Sequence, residues 1–182
     1  MAYRNIKVNT SSWIVAIFIT IAIGLVIAWF AHDVGLKRVM FAFWLNWLLM
    51  FWAHGIYLTN TVKLAEKYFH IRPIEKKVYQ FMGVKYYQRM IRRVNIFNPE
   101  LHLKEGRSGL AKLEQATRNA EQGHALIYII VSGFTLYALL QQWWQAAFWY
   151  FLFNMLINGY PIMVQRYNRD RISRILKSRR VV

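Results

Sequence analysis

Glu121 and His124 stand three residues apart, where a basic stretch gives way to an apolar one. Residues at i and i+3 are neighbours on a helix surface, so the carboxylate is expected to reach the imidazole. A Glu beside a His fixes its tautomer and holds its pKa near neutrality. At a membrane–water boundary such a pair can take a proton from a hydroxyl nucleophile. The same spacing also serves a salt-bridged histidine that only anchors a helix end. Glu-x-x-His occurs in di-iron bundles as well, but those need two copies and two further Glu. This chain has one copy and five histidines in all, and no metal is expected. Further along, Asn154 and Asn158 share a face and precede Gly159 and Pro161. Proline frees a carbonyl and kinks a helix, so these groups either line a polar pocket or are satisfied by neighbouring helices. Arg166 and Arg169 follow at once. A guanidinium binds phosphate or carboxylate bidentately, although a basic flank also serves to hold one membrane side and touch anionic lipid. There is no glycine-rich phosphate loop, no Gly-x-Ser-x-Gly elbow and no obvious Ser-His-Asp set.

The elements that must position these residues follow from how charge and apolarity are distributed. The 182 residues carry 24 Lys and Arg against 8 Asp and Glu, a net charge of +16, yet 57% are hydrophobic and 17% aromatic. A disordered basic chain would not be this apolar. With no cysteine, a disulfide-stapled domain and a Cys-ligated zinc or iron–sulfur site are excluded. Four apolar blocks are expected to span a bilayer, at about 12–31, 39–58, 124–141 and 144–164. A span needs about 20 apolar residues. Asn46 and His54, eight apart in the second block, fall roughly on one helical face. There His54 suits an interhelical hydrogen bond.

The fold class is an all-α integral membrane protein with four transmembrane helices in two hairpins. Residues 59–123 form a helical insertion, and 165–182 a basic C-terminal tail, within a single membrane domain. In the insertion, VYQFMGVKYYQRMIRRVNIF alternates basic residues with aromatics and suits a helix lying in the interface. Breaks are expected at Arg72-Pro73 and over Asn98-Pro99 to Gly109, with a further helix from about Ser108. The N-terminal tail, the insertion and the C-terminal tail hold 22 of the 24 Lys and Arg, so both termini are expected on the cytoplasmic side of the cell membrane. Basic residues among aromatics also suit nucleic acid. Adjacent spans instead favour anionic lipid headgroups as partners. A homo-oligomer is compatible with the composition.

The last third resembles one family. Ala120-Glu121-x-x-His124 is followed by an apolar hairpin. Then comes Asn158-x-x-Pro161-Ile162-x-Val164-Gln165-Arg166-Tyr167-Asn168-Arg169-x-Arg171. Together these are similar to the glycosyl-4,4'-diaponeurosporenoate acyltransferases, the CrtO-type membrane enzymes of staphyloxanthin biosynthesis. Thr117 fits the family's Glu-Thr-x-Arg-Ala-Glu-x-x-His string, with Ala116 and Asn119 departing from it. Lys85 and Tyr87 fall in a weaker matching stretch, Phe81 to Ile91. The resemblance runs roughly from Lys67 to Arg180.

It implies transfer of a fatty acyl chain to a sugar hydroxyl of a lipid-linked glycoside. The donor would be an acyl-CoA or a lipid acting as substrate, with no cofactor. His124 would be the general base and Glu121 its orienting partner. Arg166 and Arg169 would meet a donor phosphate or an oxyanion, and Asn158 and Asn168 would bond sugar hydroxyls. Tyr167, Lys85 and Arg118 complete the substrate-binding candidates. A non-catalytic lipid-binding or assembly protein, and a lipid-modifying enzyme with another donor, are the competing readings.

Overall fold

The computed structural model describes residues 10–59, 61, 64, 66–69, 71–93 and 106–178, and among these it is helical with no strand. Seven α-helices are described: α1 (Thr10–Val34), α2 (Val39–Thr59), α3 (Pro73–Phe81), α4 (Val84–Arg93), α5 (Gly106–Leu140), α6 (Trp144–Asn154) and α7 (Tyr160–Ser178). A short 3₁₀ turn spans Glu66–Phe69, and a π-helical turn, Met155–Gly159, joins α6 to α7. Four stretches are long and apolar enough to cross a membrane: Thr10–Val34, Val39–Thr59, Lys112–Leu140 and Trp144–Ile175. The chain is therefore an all-α membrane protein.

Helices run on through two expected boundaries. The helix expected from Ser108 and the third span are one 35-residue helix, α5. Over this stretch lie strong helix formers and no proline, and Gly109 and Gly123 are tolerated. The expected basic tail is likewise helical as far as Ser178, continuous with the end of the fourth span in α7. Conversely, the expected interfacial helix is two helices, broken at Met82-Gly83, where Gly83 adopts φ +66°. Only glycine takes that conformation without strain. The loop expected around Asn98-Pro99 lies largely outside the described residues.

The residues group into two compact units, Met1–Leu64 with Leu126–Met155, and Ala65–Ala125 with Leu156–Val182. In the first unit, Phe41, Ala42, Leu45, Leu49 and Ala53 form a buried stripe on α2. They join Ile127, Val131 and Ala138 of α5, and Ala146, Ala147 and Tyr150 of α6. The small residues let helix backbones approach closely, as membrane helices require. α1 is apolar on all sides. Only Ala16 of it is buried, and Phe18, Leu25 and Trp29 stand out on its surface, the condition of a helix solvated by lipid.

Three buried polar side chains of this unit are satisfied internally. Tyr150 donates to the Leu36 carbonyl at 2.8 Å, and Asn154 donates to the Tyr128 carbonyl at 3.0 Å and to Ser132 Oγ at 3.2 Å. Asn46 is fully buried and donates to the Ala42 carbonyl at 2.9 Å. His54 is exposed, so these two do not share one environment. Eight residues turn a helix by about 80° more than two full turns, enough to move His54 off the buried stripe.

Candidate active site

The second unit is organised around buried charge. Pro73 opens α3, and Arg72 before it is extended (φ −84°, ψ 147°). Proline disfavours the helical conformation in the residue it follows and is pre-set for the first helical position. Glu75 is then the third helical residue, and its Oε1 accepts the Arg72 backbone N–H at 3.2 Å. Its other oxygen accepts from the Tyr79 hydroxyl at 2.5 Å and from Arg166 Nη1 at 2.7 Å.

α5 contributes Glu121, which is completely buried. Its Oε1 accepts from Arg166 Nε at 2.6 Å, and its Oε2 pairs with Arg169 Nη1. Arg166 and Arg169 are three apart on α7, so both reach the same carboxylate. A terminal nitrogen of each guanidinium also finds a carbonyl of the 3₁₀ turn: Arg166 Nη2 donates to Tyr68 at 2.7 Å and Arg169 Nη2 to Phe69 at 3.0 Å, while the buried Arg169 Nε meets no acceptor among the described residues. The two guanidiniums also face the Tyr68 and Phe69 rings, at 4.8 and 5.4 Å from their centroids.

Two carboxylates and two guanidiniums thus form a formally neutral quartet, in which Glu121 and Arg169 are buried and Glu75 and Arg166 partly buried. Burying charge is costly unless it is paired and hydrogen-bonded, and here each carboxylate oxygen has a donor. The environment tunes the neighbouring groups. Burial pushes the Glu75 carboxyl upward, but hydrogen bonds from Tyr79, Arg166 and the Arg72 backbone outweigh it and hold it below its ordinary value. Burial, with the Glu75 carboxylate, pushes the Tyr79 phenol up.

His124 lies one turn beyond Glu121 on α5. Its Nδ1 is 3.2 Å from Asn158 Oδ1, and Asn158 is fully buried on the π turn. Pro161 has no N–H for the Ile157 carbonyl, and the widened turn before it accommodates that loss. With the amide oxygen as acceptor, Nδ1 carries the proton and Nε2 presents its lone pair. Among the described residues no hydrogen bond is made to Nε2.

The expected pairing of Glu121 with His124 is therefore corrected. Glu121 is committed to two arginines, and Asn158 holds the imidazole. Arg166 and Arg169, expected to meet a donor phosphate or an oxyanion, face carboxylates instead, because the buried Glu121 carboxylate needs paired charge to offset its desolvation.

The other expected residues lie in two further places. Arg118 pairs with Glu114 at 3.1 Å and packs on the Phe69 ring. Lys85 and Tyr167 line a groove between α4 and α7, and Asn168 Oδ1 accepts from Gln88 Nε2 at 2.7 Å. Glu75 was not foreseen from the sequence. The Pro73-x-Glu75 spacing marks it as a helix-start residue, but nothing in the sequence pairs it with Arg166, 91 residues away.

Comparison with curated proteins and with solved structures yields no match. A family model described as glycosyl-4,4'-diaponeurosporenoate acyltransferase matches residues 65–178. The matched segment takes in Glu75, Glu121, His124, Asn158, Arg166 and Arg169 and leaves α1 and α2 outside it. This membrane protein, matched over well over half its length, belongs to the glycosyl-4,4'-diaponeurosporenoate acyltransferase family, which makes it an acyltransferase.

Proposed function

We propose that the protein moves a fatty acyl chain onto a sugar hydroxyl of a lipid-linked glycoside, with His124 as general base. The observation that carries this reading is the His124–Asn158 pair. Its Nδ1–H is held by a neutral amide, and its Nε2 is left with a lone pair. In the proposed step Nε2 takes the proton of the sugar hydroxyl while that oxygen attacks the acyl carbonyl carbon. The new ester C–O bond forms as the bond from the carbonyl to the leaving atom breaks. The proton on His124 then passes to the leaving group, which is a thiol if the donor is an acyl-CoA. No cofactor enters this scheme.

Asn158 orients the base, and the quartet of Glu75, Glu121, Arg166 and Arg169 ties α3, α5 and α7 together around it. Glu121 is thus a positioning residue in this scheme. A glycosylated carotenoid is the family's acceptor, and other glycolipids would satisfy the same chemistry. Both substrates partition into a bilayer, which suits catalysis at headgroup depth. We place the basic insertion and both termini on the cytoplasmic side of the cell membrane, facing anionic headgroups, on the distribution of Lys and Arg.

The test is transfer of a labelled acyl chain from acyl-CoA to a glycosyl acceptor in membranes. His124→Ala is expected to lower kcat by about 10²- to 10⁴-fold at unchanged membrane abundance. A wild-type rate in that variant would falsify the role of His124.

A further inference from the structure

Four described arginines of the second unit are held by carboxylates. Arg118, Arg166, Arg169 and Arg174 are each ion-paired, with Glu114, with Glu75 and Glu121, with Glu121, and with Asp170 respectively. Arg89 and Arg171 are not, and neither is Lys85; among the described residues none of the three meets a carboxylate. These unpaired cations converge. Lys85, Gln88 and Arg89 are at i, i+3 and i+4 on α4, and Tyr167 and Arg171 are four apart on α7. Together the five line a groove of about 210 Å³, open on one side, with no acidic residue in its wall.

Its walls are held in place independently of any ligand. Gln88 donates to Asn168 at 2.7 Å, Tyr87 stacks on Tyr160 with ring centroids 4.8 Å apart, and the Tyr160 hydroxyl donates to the Met82 carbonyl at 3.1 Å. Three like charges brought to one concave wall repel each other, and a multiply charged anion relieves that. Two guanidinium forks, an ammonium, an amide and a phenol hydroxyl are donors suited to phosphate oxygens.

We infer that the α4–α7 groove is a phosphate-binding subsite, separate from the His124–Asn158 pair and from the quartet. The ligand is a phosphate ester, either of a nucleotide-linked acyl thioester donor or of an anionic lipid headgroup. The inference rests on the acyl-transfer reading only for the first of these sources.

The experiment is a binding titration of the full chain in neutral detergent micelles, which needs no turnover. One arm titrates adenosine 3',5'-bisphosphate, a soluble phosphate-bearing fragment of coenzyme A. The other arm titrates phosphatidylglycerol doped into the micelles. Each is repeated with the triple variant K85Q/R89Q/R171Q and with K37Q/R38Q/K112Q, which removes the same charge elsewhere. These groove residues are exposed, so the first triple is expected to keep the wild-type melting temperature. Saturable binding that weakens about tenfold or more in the groove triple and not in the control triple supports the subsite. If the bisphosphate arm shows it, the source is the donor; if only the phosphatidylglycerol arm shows it, the source is a headgroup. No binding in either arm, or equal weakening in both triples, overturns the inference. Acyl transfer that persists alongside a failed titration would leave the role of His124 standing while removing the groove.

Discussion

A neutral amide on Nδ1 gives His124 a fixed tautomer without a fixed countercharge. A carboxylate in the same place would stabilise the imidazolium and make the ring a stronger base that is protonated at higher pH. Asn158→Asp is therefore expected to move the acidic limb of the kcat/KM profile to higher pH. Asn158→Ala is expected to lower kcat more than it raises KM, because the ring loses its orientation while the substrate sites remain. A pH–rate profile of the three proteins checks both, and superimposable profiles would remove Asn158 from the mechanism. The candidate types at this scale could be read from the sequence. His124, Asn158 and the arginines are all there, in a string specific enough to suggest a family. Their partners could not be read. Spacing of three residues placed Glu121 beside His124, but the pairing of two acids, one of them fully buried, with two arginines across α3, α5 and α7 decided where that carboxylate went.

At the scale of elements, the quartet is the joint between α3, α5 and α7. Removing one charge from a buried pair leaves the other uncompensated, which costs about 3–5 kcal/mol. Glu121→Gln is expected to destabilise the second unit by that order, read as loss of cooperative thermal unfolding in detergent. An unchanged melting temperature would mean the pairs contribute nothing net. The pH dependence has a definite sign. The Glu75 carboxyl is held below its ordinary value of 4.5 in the folded chain, so its contribution to stability is fully present above that pH. It is lost as pH falls further, through the folded value. A melting series from pH 6 to pH 3 is expected to show that loss in the wild type and less of it in Glu75→Gln. Gly83 joins α3 to α4 at φ +66°, and Gly83→Ala is expected to cost about 1 kcal/mol on the same assay. The glycine and Pro73 are visible in the sequence as punctuation. That α5 and α7 run on unbroken was not visible, because a change from apolar to basic composition looks like a boundary although nothing in the backbone stops there.

For the molecule as a whole, four helices can cross a bilayer, and apolar block length alone was enough to find them. Blocks of this length can be buried only by lipid or by each other, so local sequence and final environment agree. Sidedness rests on charge. The chain has no cysteine, so single cysteines report on it directly. Lys37→Cys, in the short link between α1 and α2, is expected to react with an impermeant maleimide on intact cells. Lys77→Cys, on α3, is expected to react only after permeabilisation. The reverse pattern would invert the orientation. The central claim is acyl transfer to a glycolipid through His124. Its most direct test is a lipid and pigment mass profile of cells expressing the wild type or His124→Ala at equal membrane abundance. A fatty-acyl mass increment on a glycolipid in the wild type alone is the expected result. The same increment in both would contradict the account by moving the base away from His124.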